Sequence, residues 1–579
     1  MREKPWLAHY DEGVPQTLAP YPLHTLLHYV AETVQQRPDH PAILFKGRSV
    51  TYEALAGLSN ACAAALVDMG IKPDDRVALL LPNCPQFLIA ELGAWKAGAI
   101  VVPLNPLYSP DELRHLLANC GAETMVTLAP FYQRVKSVQP HTALKRVITT
   151  SIGEYLPPLL HVAYALTQAL PSAHRVQLQS GDAWFKSLLS RYAQAAPPAV
   201  VRGLHDPAVI LFSGGTTGIP KGAVGLHGGL VNAGLQIHAW LWSVWEDWRD
   251  IILLPLPLCH AYGYIAGQSV ALVGHNPLAL IPDPRDTRDI LRTIHRVRPT
   301  FVAGVPALFT ALLAHPEVQT GRVDVQSIKC CFSGAAPLAA GAKQRFEALT
   351  GGRIVEGYSL TEAMLACICN PVRGQQKVGS VGLPLPDVEI DIVDTDTGTR
   401  SVAPGMGEVI LRAPQLMQSY WQNTPATAAA LRTRDEGGPW LYTGDLGYLD
   451  PDGHLFLVDR KTDLIKTSGY QVWPREIEDV IATHPAVAEV GVAGVPDVVK
   501  SEVAKAWVVV RPGTSTTEGD IRAYCREHLA PYKVPATVEF CHALPKTPLV
   551  GKVMRHKLGA APATPPAGTT AEVRERPSA

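Results

Sequence analysis

Residues 212–222 read Phe212-Ser213-Gly214-Gly215-Thr216-Thr217-Gly218-Ile219-Pro220-Lys221-Gly222, and they are the most informative part of the chain. The glycines let backbone N–H groups converge on an anion without an intervening Cβ. The hydroxyls add hydrogen-bond donors, and Lys221 adds a point charge suited to phosphate. An apolar run, 208–212, leads into the stretch, and a strand followed by a glycine-rich turn commonly presents phosphate-binding amides. The stretch therefore predicts a phosphate site; a flexible surface turn is the alternative.

This pattern differs from the common nucleotide P-loop. In that loop Gly directly precedes Lys, and Ser or Thr follows. Here Ile219 and Pro220 separate Gly218 from Lys221, and Gly222 follows the lysine. Any phosphate site here therefore belongs to a different class of loop.

Length and composition limit the class of protein. A chain of 579 residues is too long for one hydrophobic core, so we expect several domains. The formal net charge of −1 argues against a nucleic-acid partner, since such partners usually require a basic excess. The ten cysteines are scattered without zinc-site spacing and indicate reduced, mostly buried thiols in a cytoplasmic protein.

Two apolar segments, 152–170 and 251–273, are candidates for membrane spans. Both contain prolines and polar side chains, whereas a spanning helix needs about 20 mostly apolar residues. The N-terminus also lacks the apolar core of a signal peptide. We therefore predict no membrane-spanning segment.

The order of apolar segments predicts an α/β fold. Helical spacing over 53–66 precedes strand-like runs at 76–81 and 99–103, with a helical stretch between the two strands. Such alternation implies βαβ units and parallel sheet. The pattern resumes after the glycine-rich stretch and continues to about residue 445. We predict a large N-terminal domain of several subdomains with parallel-rich sheets, covering residues 1–460.

A smaller α/β unit starts near Lys461. It has a helix over 474–481 with proline at its start, strands near 487–495 and 506–510, and a helix near 518–529. We predict a small mobile C-terminal domain over 461–559. The Ala/Pro/Thr-rich tail, 560–579, is expected to be disordered.

Six further motifs combine small, aromatic, hydroxyl and charged residues. In chain order they are LPLCHAYG (256–263), SGAAP (333–337), EGYSLTEA (356–363), YTGDLG (442–447), DRKTDLIKTSGY (459–470) and LPKTPLVGK (544–552). With the glycine-rich stretch, they resemble the core motifs of the adenylate-forming superfamily of acyl-CoA synthetases, luciferases and peptide-synthetase adenylation domains. The resemblance covers about residues 24–558, and the combination is specific although each motif alone is weak. Details such as Gly214-Gly215 and Asp459-Arg460-Lys461 are similar to the long-chain fatty-acyl-CoA ligases.

The resemblance implies a nucleotide site. Ser213, Gly214, Gly215, Thr216, Thr217, Gly218 and Lys221 would hold the β- and γ-phosphates of ATP, and Thr216 and Glu362 would hold Mg²⁺. Gly334, Ala335, Ala336 and Tyr358 would sandwich adenine, with Glu356, Gly357 and Thr361 in the same site. Asp445 would accept the ribose hydroxyls, with Arg460 close by.

The resemblance also implies an acyl site and a moving domain. Lys552 would reach both the carboxylate and the α-phosphate, and His260 would gate the acyl pocket. Lys466, Ser468, Gly469 and Tyr470 would bind coenzyme A. Thr462 would be the hinge, although the family usually has Asp or Lys there, and Ser419 stands where glycine is common.

Several of these residues have plainer interpretations. Asp445 could cap a turn, Tyr358 could belong to the core, and Glu362 could be a helix N-terminal carboxylate. His260 could be a satisfied core histidine, and Lys552 lies in a basic stretch that could be a solvated face. These interpretations do not explain the shared linear order of the motifs.

We therefore expect an ATP-dependent fatty-acid–CoA ligase that forms acyl-AMP and pyrophosphate, and then acyl-CoA and AMP. ATP, Mg²⁺ and coenzyme A would be its cofactors. The alternatives are an adenylating enzyme for another carboxylic acid or for a carrier protein, and a catalytically silent acyl- or nucleotide-binding protein on the same fold.

We expect small-molecule partners, no nucleic acid, and a cytoplasmic location; a homodimer is compatible with the sequence. The segment 151–196 could be an amphipathic element that contacts the inner face of the membrane, where fatty acids partition. A packed surface helix is the alternative for this segment.

Overall fold

The computed structural model of the protein describes residues 4–169, 176–213, 220–336, 338–365, 367–395, 397–400, 405–434, 437–467, 470–497, 500–547 and 553–558. The strands are β1 Pro41–Phe45, β2 Arg48–Thr51, β3 Arg76–Leu80, β4 Ile100–Pro103, β5 Thr124–Leu128, β6 Arg146–Thr150, β7 Ala183–Trp184, β8 Pro207–Ser213, β9 Lys221–Leu226, β10 Ile252–Leu254, β11 Leu278–Leu280, β12 Phe301–Gly304, β13 Cys330–Ser333, β14 Arg353–Tyr358, β15 Ile368–Cys369, β16 Leu383–Pro384, β17 Glu389–Val393, β18 Gly407–Arg412, β19 Leu431–Thr433, β20 Pro439–Leu449, β21 Leu455–Arg460, β22 Ile465–Thr467, β23 Tyr470–Val472, β24 Val487–Asp497, β25 Ser501–Val510 and β26 Thr537–Phe540. The α-helices are α1 Leu26–Gln36, α2 Tyr52–Asp68, α3 Pro85–Lys96, α4 Pro110–Cys120, α5 Tyr132–Val138, α6 Pro158–Ala169, α7 Phe185–Arg191, α8 His227–Trp240, α9 Val270–Val273, α10 Thr287–Val297, α11 Pro306–Ala314, α12 Pro316–Gln319, α13 Ala340–Thr350, α14 Thr424–Ala430, α15 Pro474–Ala482 and α16 Glu518–His528.

The described residues divide into two compact units. The first comprises Met1–Asp391, Ile410–Thr443 and Leu449–Phe456, and the second comprises Ile392–Val409, Gly444–Tyr448 and Leu457–Ala579. A sheet of five strands has the order β17-β18-β20-β19, with β21 beside β20. The predicted domain limits at residues 460 and 559 stay predictions.

A seven-stranded sheet in the first unit has the order β7-β6-β5-β3-β4-β8-β9. Its strands pair in parallel from β7 to β8, and β9 returns antiparallel to β8. Helix α2 begins where Thr51 accepts a hydrogen bond from the N–H of Ala54 at 3.1 Å, an ordinary N-cap. The strands and helix predicted near 76–81, 99–103 and 53–66 are therefore confirmed as β3, β4 and α2.

A nine-stranded sheet in the same unit has the order β16-β15-β14-β13-β12-β10-β11-β1-β2. Strands β10, β11, β12, β13 and β14 pair in parallel, so their carboxyl ends lie at one edge of the sheet. In open α/β sheets, this edge is where ligands bind. The predicted parallel-rich α/β architecture is confirmed.

The second unit contains a smaller sheet. Its order is β23-β22-β25-β24, with β26 parallel to β25. Buried apolar side chains from this sheet and from α15 and α16, including Val492, Ile477 and Ile521, form its core. The helices predicted at 474–481 and 518–529 are confirmed as α15 and α16. The predicted tail, 560–579, lies outside the described residues.

All ten cysteines are free thiols, and all but Cys259 are buried, as predicted. Burial raises the pKa of most of these thiols, for example that of Cys84 to about 12. Within the described part of the chain, no helix has the length and apolar content that crossing a membrane requires.

Candidate active site

The predicted phosphate stretch begins and ends in a β-hairpin. Strand β8 ends at Ser213 and β9 begins at Lys221, and these two residues are paired across the antiparallel ladder. The Ser213 hydroxyl donates to the Lys221 carbonyl at 3.4 Å. The two strand ends that flank residues 214–219 are thereby joined. Gly214, Gly215, Thr216, Thr217 and Gly218 lie outside the described residues.

Lys221 points to a tyrosine that the sequence reasoning did not single out. Its Nζ lies 5.2 Å from the centroid of the Tyr420 ring. The Tyr420 hydroxyl donates to Oε1 of Glu362 at 2.9 Å. Burial, together with the negative charge of Glu362, raises the pKa of Tyr420. Tyr420 thus connects the predicted phosphate lysine with the predicted magnesium ligand, and it adjoins Ser419, which departs from the family pattern.

The backbone explains why Tyr420 is held there. The segment around it pairs with β9: the Gln418 N–H donates to the Val224 carbonyl at 2.8 Å, and the Trp421 N–H donates to the Gly222 carbonyl at 2.7 Å. A Cβ on Gly222 would lie 2.6 Å from a methyl carbon of Ile210, so only glycine allows this close approach. Packing against Ile210 therefore requires glycine at position 222, whether or not a phosphate binds nearby.

Glu362 is a suitable ligand for a hard cation. Its carboxylate is half-buried and oriented by Tyr420, and its backbone carbonyl accepts from the Met417 N–H at 2.9 Å. Carboxylate oxygen is the ligand that Mg²⁺ prefers. The plain helix-terminus interpretation is not supported, because Glu362 lies in a turn rather than at a helix start.

A second group of carboxylates and imidazole, formed by Asp450, Asp452 and His454, is also close enough to hold a metal ion. The ammonium of Lys377 already lies 2.5 Å from both Asp450 and Asp452. The two carboxylates therefore already share one cation, and we assign no metal ion to this group.

The predicted adenine residues lie at the carboxyl edge of the nine-stranded sheet. Gly334, Ala335 and Ala336 follow β13, while Glu356, Gly357 and Tyr358 end β14, the adjacent parallel strand. Glu356 accepts from the Leu338 N–H at 3.2 Å, which joins the two segments. Ala335 has φ +71°, an uncommon left-handed conformation for a residue with a side chain. The structure therefore brings these residues together; Thr361 lies in the turn just after them.

His260 lies between β10 and a π-helix, Tyr262–Ser269. Its side chain reaches the surface, and its Nδ1 accepts from the Tyr262 N–H at 3.2 Å. The protein packed around the ring nevertheless lowers its pKa by desolvation. The acyl-gate and core-histidine interpretations of His260 therefore both stay predictions. The π-helix itself was not predicted, and such turns are frequent at functional sites.

Asn83 holds the segment that carries His260, and sequence reasoning missed it. Its side-chain amide donates to the carbonyls of Leu254 and Leu256, at 3.0 and 2.8 Å, and accepts from the Leu258 N–H at 2.8 Å. The side chain is buried. A lone Asn before a proline-rich helix start carries no signal in a single sequence that would distinguish it from an ordinary loop residue.

Asp445 and Arg460 are close together in the second unit. The Arg460 Nε lies 3.1 Å from Asp445 Oδ1, and Asp445 is only 7 % exposed. Glu408 accepts from the Gly444 N–H and from Lys461 Nζ, both at 3.1 Å. It thereby holds the residue before Asp445, within β20, and the residue after Arg460. The pairing that the resemblance implied is present.

The predicted hinge and CoA segment are described in their backbone only. Thr462 lies in a 3₁₀ turn, Lys461–Asp463, and Lys466 and Tyr470 lie on the hairpin of β22 and β23. Ser468, Gly469 and Lys552 lie outside the described residues.

Comparison with known proteins gives concordant matches along the chain. Residues 30–421 match the family model "AMP-binding enzyme", and residues 476–549 match "AMP-binding enzyme C-terminal domain". A long-chain-fatty-acid–CoA ligase of Bacillus subtilis (strain 168) is 36% identical over 96% of this chain and 98% of its own length. The enzyme of the same name from Escherichia coli O157:H7 is 35% identical over the same shares. Among solved structures, ATP-bound MatB from Rhodopseudomonas palustris has a TM-score of 0.78 at 27% identity, over 92% of this chain and 98% of that one.

Proposed function

Because the chain belongs to the AMP-binding enzyme family, and is thus an ATP-dependent acid–thiol ligase that works through an acyl-adenylate, we propose that its acid substrate is a long-chain fatty acid. The near-full-length identity to bacterial ligases of that name carries the proposal. Coenzyme A is the proposed acceptor.

The chemistry sets the requirements for the site. A carboxylate is a poor acyl donor because its oxygen leaves poorly. The carboxylate oxygen attacks the α-phosphorus of ATP, the bond to pyrophosphate breaks, and acyl-AMP forms. The CoA thiolate then attacks the acyl carbon and AMP leaves. Since the first step brings two anions together, catalysis depends on neutralising charge and on positioning.

We assign the phosphates of ATP to the stretch from Ser213 to Lys221. Lys221 supplies a cation at the base of the hairpin, next to Tyr420. Glu362, together with Thr216, would hold Mg²⁺; when bound, this ion would neutralise charge on the phosphate oxygens. Tyr420 keeps the Glu362 carboxylate oriented for that role.

We assign the nucleoside to two groups of residues. The turn Gly334-Ala335-Ala336 and the ring of Tyr358 would enclose adenine, with Glu356, Gly357 and Thr361 beside them. Asp445 would accept the ribose hydroxyls, with its carboxylate held by Arg460. Each of these assignments rests on the family motif and on the positions described above.

The remaining roles follow the two steps. Lys552 would stabilise the charge that develops between carboxylate and α-phosphate. Thr462 would be the pivot of a domain rotation between the steps, and the Lys466–Tyr470 hairpin would admit the CoA arm. His260 would stand at the entrance to the acyl pocket.

We further propose a cytoplasmic enzyme whose helix α6 contacts the inner face of the membrane. The support is the exposure of Leu159, Leu160 and Val162 on this helix, of which Leu159 is 87 % exposed. Exposed apolar side chains on a short helix can enter the headgroup boundary. Sedimentation with vesicles of phosphatidylethanolamine and phosphatidylglycerol tests this: Leu159→Glu should reduce binding, and unchanged binding would refute the contact.

A homodimer stays a prediction, which the molar mass of the protein in solution would test.

One assay tests the function. Pyrophosphate release is measured with fatty acids of increasing length, with aromatic and short-chain acids, and with or without CoA. The proposal expects the highest kcat/KM with a long-chain acid and acyl-CoA only when CoA is present. Preference for another acid would favour an adenylating enzyme for that acid. Transfer only to a carrier protein would favour an enzyme that serves a carrier protein. No pyrophosphate with any acid would favour a catalytically silent binding protein.

A further inference from the structure

Arg555 is the centre of a buried ion cluster in the second unit. Its Nη1 donates to Asp459 Oδ1 at 2.8 Å and to Asp463 Oδ2 at 2.9 Å. Its Nη2 and Nε donate to the two oxygens of Glu478, at 2.7 and 3.1 Å. We call these four residues the Arg555 cluster. The bidentate contact with Glu478 is the geometry that a guanidinium forms and an ammonium cannot.

Within the described part of this unit, the Arg555 guanidinium is shared by three carboxylates. The side chains are at most 19 % exposed, and that of Asp459 is only 1 % exposed. Burial raises the pKa of Glu478, against the influence of Arg555, which favours the ionised form. The Arg555 guanidinium therefore offsets part of the cost of burying the Glu478 carboxylate, and it contacts Asp459 and Asp463 as well.

The partners of Arg555 lie on both sides of the predicted pivot. Asp459 lies near the end of β21, before residue 462, while Asp463 and Glu478 come after residue 462. The second carboxylate oxygen of Asp459 accepts from the Arg475 N–H at the start of α15, at 2.9 Å. A change of φ and ψ at residue 462 would preserve the contacts of Arg555 with Asp463 and Glu478. The same change would break those of Asp459 with Arg555 and Arg475.

The cluster also connects two groups that the first chemical step uses. Asp459 Oδ1 accepts from the backbone N–H of Arg460 at 2.8 Å, and Arg460 pairs with Asp445. At the other end, Arg555 lies three residues after Lys552 in the sequence. Asp459 thus contacts both the residue that pairs with the predicted ribose ligand and the segment that carries the predicted catalytic lysine.

We propose that Arg555 is a positioning residue for adenylation. Arg555 binds Asp459, which lies on the other side of residue 462, and so fixes the hinge while the segment of Lys552 serves the adenylation step. For the thioester-forming step, Arg555 releases Asp459. The inference rests on the proposed function only in that it assigns Lys552 to adenylation. Arg555 contacts no substrate in this account and acts through the hinge and the lysine segment.

The variants change different parts of the cluster, and Arg555→Lys and Asp459→Asn keep a cation beside the remaining carboxylates. Arg555→Lys keeps the charge but loses the bidentate geometry. The double variant Arg555→Gln with Glu478→Gln removes one cation and one carboxylate together. Asp459→Asn removes the carboxylate whose contacts join the two sides of residue 462. It leaves the carboxylates of Asp463 and Glu478 in place. Arg526→Gln is the matched control, because Arg526 is an exposed arginine on α16 of the same unit.

Each variant is assayed for pyrophosphate–ATP exchange, for acyl-CoA formation from supplied acyl-AMP and CoA, and for its melting temperature. We expect kcat for exchange to fall about tenfold or more in the double variant and in Asp459→Asn, because a hydrogen bond to a charged group is worth roughly that factor. The KM values of ATP and acid should change little, since the cluster contacts neither substrate. The CoA step should keep its rate, Arg555→Lys should recover part of the exchange activity, and Arg526→Gln should equal the wild type.

Two results would overturn the inference: unchanged exchange in the double variant, or an equal fall of both half-reactions that follows the melting temperature, which is what a purely structural cluster gives. The assay of the wild-type protein with the panel of carboxylic acids distinguishes failure of the Arg555 inference from failure of the proposed function. If the wild type prefers another carboxylic acid, the substrate proposal fails, while the Arg555 variants are still tested with that acid.

Discussion

At the scale of single residues, the site depends on how a few charged groups are held. Tyr420 holds Glu362 by a hydrogen bond of 2.9 Å, and its ring lies next to Lys221. A sequence motif identifies Glu362 and Lys221 but does not show that a tyrosine about 60 residues further along connects them. Long-range partners of this kind are fixed by the backbone pairing of residues 418–421 with β9.

We predict that Glu362→Gln raises the Mg²⁺ concentration needed for half-maximal pyrophosphate exchange, because an amide is a weaker ligand than a carboxylate for a hard cation. A Mg²⁺ titration of the exchange rate measures this. Tyr420→Phe is the comparison, since it keeps the carboxylate and removes only its hydrogen bond. A titration of Glu362→Gln identical to that of the wild type would mean that this carboxylate has another role.

We predict that Lys552→Ala lowers acyl-adenylate formation by about 10²–10³, the usual effect of losing one transition-state charge contact. CoA attack on supplied acyl-AMP should keep its rate. Lys546→Ala is the control: it lies in the same basic stretch but forms a surface ion pair with Glu489 at 2.7 Å, which is worth little. Equal losses in both half-reactions would contradict the assignment of Lys552 to the first step.

At the scale of elements, sequence patterns identify most of the strands and helices but not their less regular features. The apolar run at 208–212 and the glycines that follow predict a strand and a loop, and β8 is present. The antiparallel return of β9 was not predicted, because a short run such as 221–226 has no periodicity that separates strand from loop. The π-helix at Tyr262–Ser269 was missed for the same reason.

The contact between α3 and the π-helix contains a fully buried carboxyl. Gln268 donates to Glu91, and burial raises the pKa of Glu91 to about 8. Since the folded-state pKa lies above the unfolded value, folding favours the protonated acid. This contribution is complete below about pH 4.5 and is lost as the pH rises to about 8.

We therefore predict that Glu91→Gln, a neutral residue of the same shape, stabilises the protein at pH 8 by on the order of 1–3 kcal/mol and much less at pH 5. Thermal unfolding of both proteins at the two pH values measures the difference. A shift of the midpoint that is the same at pH 5 and pH 8 would show that Glu91 does not titrate in this range.

At the scale of the whole molecule, the motifs predict the order of the parts more securely than the contacts between distant segments. The N-terminal residues illustrate this: Thr17 and Tyr21 bind the carboxylate of Asp387, more than 360 residues away. Nothing in residues 4–21 signals such a contact, because it depends on tertiary packing rather than on local pattern. The family motifs, by contrast, are local and could be identified directly.

Under the proposed function, the lysine segment and the thiol would need the same approach, so the two chemical steps would require two arrangements of the same chain. Hinges achieve this by changing a few backbone angles. We predict that Thr462→Pro, which fixes φ near −65°, spares adenylation and slows thioester formation. Gly469→Leu should do the same by narrowing the path of the pantetheine arm.

Rates of acyl-CoA formation from supplied acyl-AMP measure both variants. Gly519→Leu is the control, because it places the same side chain at an exposed glycine of α16. Wild-type rates in both Thr462→Pro and Gly469→Leu would mean that the second step needs no rearrangement at residue 462.

The fate of the carboxylate oxygen tests most directly whether this enzyme activates a fatty acid as its adenylate. Hexadecanoate labelled with ¹⁸O in both carboxylate oxygens is incubated with the enzyme, ATP, Mg²⁺ and CoA, and the products are analysed by mass spectrometry. Our account predicts one ¹⁸O in the phosphate of each AMP and one in the carbonyl of the acyl-CoA, because the attacking oxygen stays on the α-phosphorus when the thiol displaces AMP. Unlabelled AMP, or label in pyrophosphate or inorganic phosphate, would contradict it.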